Sequence, residues 1–97
     1  MENSFIDTNK IEEICRNNNV AMVGVFGSSV RGEASEGSDI DLLVRFDKRK
    51  SLLEAVRLER ELSTALGRKV DLLTETAISP YIRDRILGEL QVIYEAG

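Results

Sequence analysis

Residues 20–46 read VAMVGVFGSSVRGEASEGSDIDLLVRF and carry the strongest indication of the fold. Positions 20–26 are almost wholly apolar and rich in valine, the pattern of a strand covered on both faces. Positions 39–46 have a similar apolar middle but begin with two acids, Asp39 and Asp41. Between them, 28–31 can form a short helical turn and 33–38 is a polar loop without periodicity. The segment therefore predicts two apolar strands joined by a polar connection.

Helices are predicted on both sides of these strands. Isoleucines and a cysteine at helical spacing predict a helix over 8–18, which asparagines at 17–19 close. Ser51 and Glu54 match a capping box, and Gly67 is the stop signal of the helix that follows. The apolar positions of this second helix are Leu52, Leu53, Val56, Leu62 and Leu66.

Two more strands and a third helix are predicted after Gly67. KVDLLT at 69–74 is a strand with Asp71 near its start, and LQVIY at 90–94 is a short final strand. Ser79-Pro80 opens a helix between them, and Gly88 is its expected end. Helices alternating with short apolar strands indicate an α/β layer fold with about four strands.

The composition predicts a single domain over residues 1–97, with 42% hydrophobic and 31% charged residues. A formal charge of −4 argues against a protein that mainly grips nucleic acid. The one cysteine, Cys15, falls on the apolar side of a helix and is predicted to be a reduced core residue. The N-terminus lacks a signal-peptide pattern and no stretch has the length of a membrane span, so a cytoplasmic protein is expected.

Asp39 and Asp41 are candidates for metal binding. On a strand their side chains leave the same face with Cα atoms about 6.6 Å apart, and their repulsion is about 2.5 kcal/mol at an effective dielectric of 20. A divalent cation would remove that repulsion, and Mg²⁺ is commonly held by one or two carboxylates plus phosphate oxygens. Taken alone, the pair is more simply explained by two acids that lie at a solvated strand end or cap a turn.

Gly27-Ser28 is a candidate phosphate cradle, because it follows an apolar strand and precedes a short helical turn. Glycine lets a phosphate approach the backbone, while free N–H groups and the Ser28 hydroxyl can donate hydrogen bonds to it. The alternative is an ordinary strand-to-helix turn in which Gly27 supplies conformational freedom and Ser28 acts as a cap.

The combination of Gly27-Ser28, ten residues and Asp39-Ile40-Asp41 closely resembles the signature of the DNA polymerase β-like nucleotidyltransferase superfamily, in its minimal nucleotidyltransferase (MNT) branch. KVDLLT and the SPYIRDRIL helix resemble the later elements of a minimal member. The resemblance implies the nucleotidyltransferase fold, a short mixed sheet flanked by helices. Val30 stands where the family often has alanine, and Arg31 could contact phosphate or a partner or could brace the acidic loop.

The resemblance also implies roles for these residues. Gly27 and Ser28 would bind the triphosphate of ATP, and Asp39, Asp41 and Asp71 would hold two Mg²⁺ ions. Asp71 is also the candidate general base, since the chain has no histidine.

The acceptor implied by the family is a tyrosine hydroxyl of a separately encoded HEPN-type toxin, with this chain as the antitoxin that transfers AMP. One alternative is a non-catalytic subunit that neutralises its partner by contact. Another is a polymerase-type enzyme acting on nucleic acid, which the net charge and the absence of a second domain disfavour.

Overall fold

A computed structural model describes residues 8–27, 39–48 and 51–96, without the side chain of Thr76. The predicted turn at 28–31 and loop at 33–38 lie outside these residues, as do Ser28, Val30 and Arg31. The described elements, in chain order, are α1 (Thr8–Asn17), β1 (Val20–Phe26), β2 (Ile40–Phe46), α2 (Leu52–Leu66), β3 (Val70–Thr74), a 3₁₀ turn (Glu75–Ala77), α3 (Pro80–Glu89) and β4 (Gln91–Glu95).

The strands form a mixed sheet in the order β3-β2-β1-β4, which confirms the α/β prediction. β1 pairs antiparallel with both β2 and β4, whereas β2 pairs parallel with β3. Parallel neighbours need a crossover connection, and α2 provides it. As a result, β2 and β3 begin at the same edge of the sheet, which is also the edge where β1 ends.

One face of the sheet packs against α1 and α2 to form the larger core. Its fully buried members include Ile11 and Cys15 of α1, Leu58 and Leu62 of α2, and the alternate positions Ile40, Leu42 and Val44 of β2. Cys15 is therefore buried, as predicted, and it is a free thiol. Burial raises the pKa of the Cys15 thiol to about 12, with a smaller contribution from the nearby Glu12 carboxylate.

The opposite face of the sheet is covered by the 3₁₀ turn and α3. Met22, Phe26, Leu43, Ile78 and Ile86 are buried there, with Leu73 and Leu90 packed against them. Because side chains alternate along a strand, Asp41 shares this face with Leu43, and Asp71 shares it with Leu73. The two acids therefore lie on the face that carries α3.

Local capping signals predicted the helix ends well. The Ser51 hydroxyl accepts a 3.3 Å hydrogen bond from the Glu54 amide at the start of α2, and Gly67 ends that helix with a φ of 67°. At the start of α3, Ser79 is the N-cap and Pro80 follows it. Asn19 adopts a left-handed φ of 58°, as the turn after α1 requires.

The predicted end of α3 was wrong, and the first leucines of α2 are exposed. Gly88 does not end α3, which continues to Glu89 and stops where Leu90 turns extended, with a ψ of 132°. Leu52 and Leu53 are apolar positions of α2 but are 81% and 67% exposed. Leu52 borders an open cavity of about 640 Å³ instead of packing against the sheet, and the buried residues of α2 are Leu58 and Leu62.

None of the described helices is both long enough and apolar enough to span a bilayer.

Candidate active site

Asp41 and Asp71 are brought together by strand pairing. They are register partners in the parallel β2–β3 ladder, so their side chains leave neighbouring strands on the same face. Adjacent strands are about 4.8 Å apart, so the two acids leave the sheet about one strand spacing from each other. The sequence placed each acid near the start of a strand, and the register makes them neighbours.

β3 is held in place on both sides of Asp71. The Val70 amide donates a 3.0 Å hydrogen bond to the Ser63 hydroxyl, and the Leu72 amide donates a 2.9 Å bond to the Glu59 carboxylate. Both acceptors belong to α2 and satisfy outward amides of an edge strand, which would otherwise be open to pairing. Asp71 itself is exposed and faces solvent from a fixed backbone.

Gly27 reaches the same edge at the end of β1, where Phe26 pairs with Asp41. Its φ of 76° lies in the left-handed region, and a Cβ built there would collide with Asp41 Oδ2 and lie 3.2 Å from Asp41 Cγ. Glycine is thus required by conformation and by space. The Gly27 backbone lies directly against the Asp41 carboxylate.

The Gly27 amide has a partner that the sequence did not reveal. It was expected to be free for a phosphate, but it donates a 2.9 Å hydrogen bond to Glu89 Oε2 at the end of α3. Sequence reasoning missed Glu89 because 62 residues separate it from Gly27. An acid in the last turn of a helix, where the dipole disfavours negative charge, is the signal that could have marked it.

Asp39 lies at the same edge, immediately before β2, and its carboxylate is near a lysine. Lys69 Nζ is 3.9 Å from Asp39 Oδ2, with the two side chains 72% and 45% exposed. Lys69 precedes β3 as Asp39 precedes β2, and the Ile40 amide donates to the Lys69 carbonyl. An exposed pair at this distance contributes about 1 kcal/mol or less, so the Asp39 side chain is easily reoriented.

The three aspartates have the right donor chemistry for Mg²⁺, because carboxylate oxygens are hard ligands. Within residues 8–27, 39–48 and 51–96, however, no group of three or more His, Cys, Asp or Glu side chains is close enough to hold a metal ion. The backbone brings Asp39, Asp41 and Asp71 to one edge, and side-chain rotation would have to complete a binding group. Their role as metal ligands stays a prediction, as does the role of Ser28.

Comparison with known proteins finds relatives in both sequence and fold. The family model for the nucleotidyltransferase domain matches residues 8–93. The protein adenylyltransferase MntA of Thermococcus cleftensis is 45% identical over 71 residues, which cover 73% of this chain and 72% of the relative.

Solved structures share the fold. A toxin–antitoxin structure with AMP-PNP superposes with a TM-score of 0.82 at 24% identity, covering 94% of this chain and 75% of that one. The complex of tri-AMPylated Shewanella oneidensis HEPN toxin with MNT antitoxin contains a chain with a TM-score of 0.71 at 22% identity, covering 92% of this chain and 70% of that one.

Proposed function

The chain belongs to the nucleotidyltransferase domain family and is a nucleotidyltransferase, and we propose that it is a Mg²⁺-dependent protein adenylyltransferase. Its donor is ATP and its acceptor is a tyrosine hydroxyl of a HEPN-type toxin, which the chain neutralises as an antitoxin. The observation that carries the proposal is the pairing of Asp41 with Asp71 beside the backbone of Gly27. A structural role has no use for two adjacent acids at that position.

In this proposal, the two strand acids and Asp39 would hold Mg²⁺, which would supply positive charge against the ATP phosphates during transfer. The tyrosine oxygen forms a bond to the α-phosphorus, the bond from that phosphorus to the bridging oxygen breaks, and pyrophosphate departs. The tyrosine proton passes to the Asp71 carboxylate, which is exposed and therefore accessible to an acceptor from outside. Ser28, which follows Gly27, is the proposed hydroxyl donor to the phosphates.

The relatives support the choice of nucleotide and acceptor. One similar fold was solved with the ATP analogue AMP-PNP, and another with a HEPN toxin that carries AMP groups. The sequence relative from Thermococcus cleftensis is named a protein adenylyltransferase. The exposed carboxylates at an open sheet edge suit a macromolecular acceptor, which brings its own hydroxyl to the site.

The test is transfer of label from ATP labelled in the α-phosphate to the HEPN-type protein encoded beside this chain. We expect the wild type to label the partner in the presence of Mg²⁺, and Asp39→Asn and Asp41→Asn to lose the label. Asp84→Asn is the matched control, because Asp84 is an exposed acid on α3 that has no role in the proposed site. Unlabelled partner, together with neutralisation by both site variants, would show that contact alone suffices. Label in RNA would favour a polymerase-type enzyme.

A further inference from the structure

We propose, building on the function proposed above, that Glu89 is a positioning residue of the nucleotide site. Its carboxylate holds the Gly27 amide and thereby keeps the Gly27 backbone in the left-handed conformation that lies against Asp41. Glu89 does not contact substrate. It acts on the site through Gly27, whose backbone position it fixes at the end of β1.

The β1–β4 ladder explains why Glu89 meets Gly27. Val25 pairs with Gln91 in this antiparallel ladder, and extending the register by two residues places Gly27 opposite Glu89. On the N-terminal side of Gln91, however, β4 has ended, and Glu89 is the last residue of α3. The ladder is therefore not continued there by a backbone carbonyl. The Glu89 side chain supplies the acceptor instead, at 2.9 Å and in a partly buried position.

The corner between α3 and β4 is fixed by packing, which makes this contact a defined one. A Cβ on Gly24 would lie 2.8 Å from Cγ and Cδ1 of Leu90, so the Leu90 side chain fills the space above that glycine. Leu90 also packs against the buried cluster on this face of the sheet. The packing of Leu90 therefore fixes the position of the adjacent Glu89 beside Gly27.

The choice of glutamate at this position is unfavourable for the helix alone. An acid at the C-terminal end of α3 faces the negative end of the helix dipole, and Asp41 adds negative charge on the other side of Gly27. A local conflict of this kind is expected where function retains it.

The contact has a consequence for phosphate binding. Because the Gly27 amide donates to Glu89, it is not available to donate to a nucleotide phosphate while that bond is intact. Glu89 therefore influences phosphate binding only through the Gly27 backbone that it holds.

Three variants separate the hydrogen bond from the charge. Glu89→Gln keeps the length and an acceptor oxygen but loses the charge. Glu89→Asp keeps the charge but is one methylene too short, and Glu89→Ala loses both. Glu13→Gln on the exposed side of α1 is the control for a lost carboxylate.

The first measurement is amide hydrogen exchange of Gly27 by NMR, which needs neither nucleotide nor acceptor. The second is the dissociation constant of AMP-PNP with Mg²⁺ by calorimetry. We expect Glu89→Ala and Glu89→Asp to speed Gly27 exchange and to weaken AMP-PNP binding, each by about tenfold or more. We expect Glu89→Gln and Glu13→Gln to stay within about threefold of wild type.

If Glu89→Asp behaved like wild type and Glu89→Gln were impaired, the proposal would be overturned, because the charge and not the hydrogen bond would then matter. Tighter AMP-PNP binding by Glu89→Ala would overturn it too, because Glu89 would then compete with phosphate. Failure of label transfer to the toxin, with these exchange and binding results intact, would remove only the proposed acceptor.

Discussion

Asp41 on β2 and Asp71 on β3 are register partners in a parallel ladder, on the face of the sheet that also carries α3. Two like charges directly opposite each other on neighbouring strands are normally destabilising. The fold nevertheless keeps both acids, with Asp41 against the Gly27 backbone and Asp71 on a stretch of backbone whose neighbouring amides are bonded to α2. Such an arrangement is expected where a cation or a proton is to be bound.

Asp71→Asn tests the proposed base. We expect kcat for label transfer to fall by about 100-fold or more, since general-base catalysis contributes that much. Relief of repulsion should raise the free energy of unfolding by up to about 1 kcal/mol. Single-turnover transfer and urea unfolding measure the two effects, with Asp84→Asn as control. Full activity in Asp71→Asn would remove the base assignment.

Alanine at three glycines should give three different stability effects. Gly27→Ala meets both a left-handed φ and a collision with Asp41, and should cost about 3 kcal/mol or more. In Gly67→Ala the new Cβ has open space around it, and only the left-handed φ is unfavourable. The free energy of unfolding should fall by about 1–2 kcal/mol. Gly88→Ala lies inside α3 with nothing near its Cβ, and should stabilise by about 0.5–1 kcal/mol.

Urea unfolding of the three glycine variants measures this order. Gly27→Ala should also abolish AMP-PNP binding, which Gly88→Ala should leave intact. Equal destabilisation by Gly27→Ala and Gly67→Ala would mean that the Asp41 carboxylate moves aside at little cost.

Cys15 should make stability fall at alkaline pH. The pKa of Cys15 in the folded protein, about 12, lies above the ordinary thiol value of 9.0. The stability that the neutral, buried thiol contributes is therefore fully present below pH 9 and is lost as pH rises toward 12. Between pH 8 and pH 10 the free energy of unfolding should drop by about 1 kcal/mol more than in Cys15→Ala. Urea unfolding at the two pH values measures this difference, and parallel pH profiles would contradict it.

Two leucines of α2 should differ sharply when truncated. Leu62 is fully buried, and Leu62→Ala should cost about 2–5 kcal/mol. Leu52 is 81% exposed, and Leu52→Ala should change the free energy of unfolding by less than about 0.5 kcal/mol. Urea denaturation of both variants gives the comparison. A large loss of stability in Leu52→Ala would contradict this prediction, because it would mean that the Leu52 side chain is packed in the folded protein.

Local signals in the sequence were sufficient for most element boundaries. Ser51, Gly67 and Ser79-Pro80 mark helix ends through hydrogen bonds and backbone angles within a few residues. The valine-rich run 20–26 became β1 without change. Gly88 shows where this reasoning fails, because a glycine in a helix can also continue it, and here α3 runs through Gly88 to Glu89.

Gly27-Ser28 and the aspartates at 39, 41 and 71 were predicted as site residues from residue type, position near strand ends and the family resemblance, and their roles stay predictions. The neighbours of these residues could not be predicted in this way. The pairing of Asp41 with Asp71 depends on the β2–β3 register, and the bond from Gly27 to Glu89 depends on β4 returning beside β1. Contacts of that kind follow from how helices and strands pack in three dimensions, so a local pattern can mark an unusual residue such as Glu89 but cannot identify its partner.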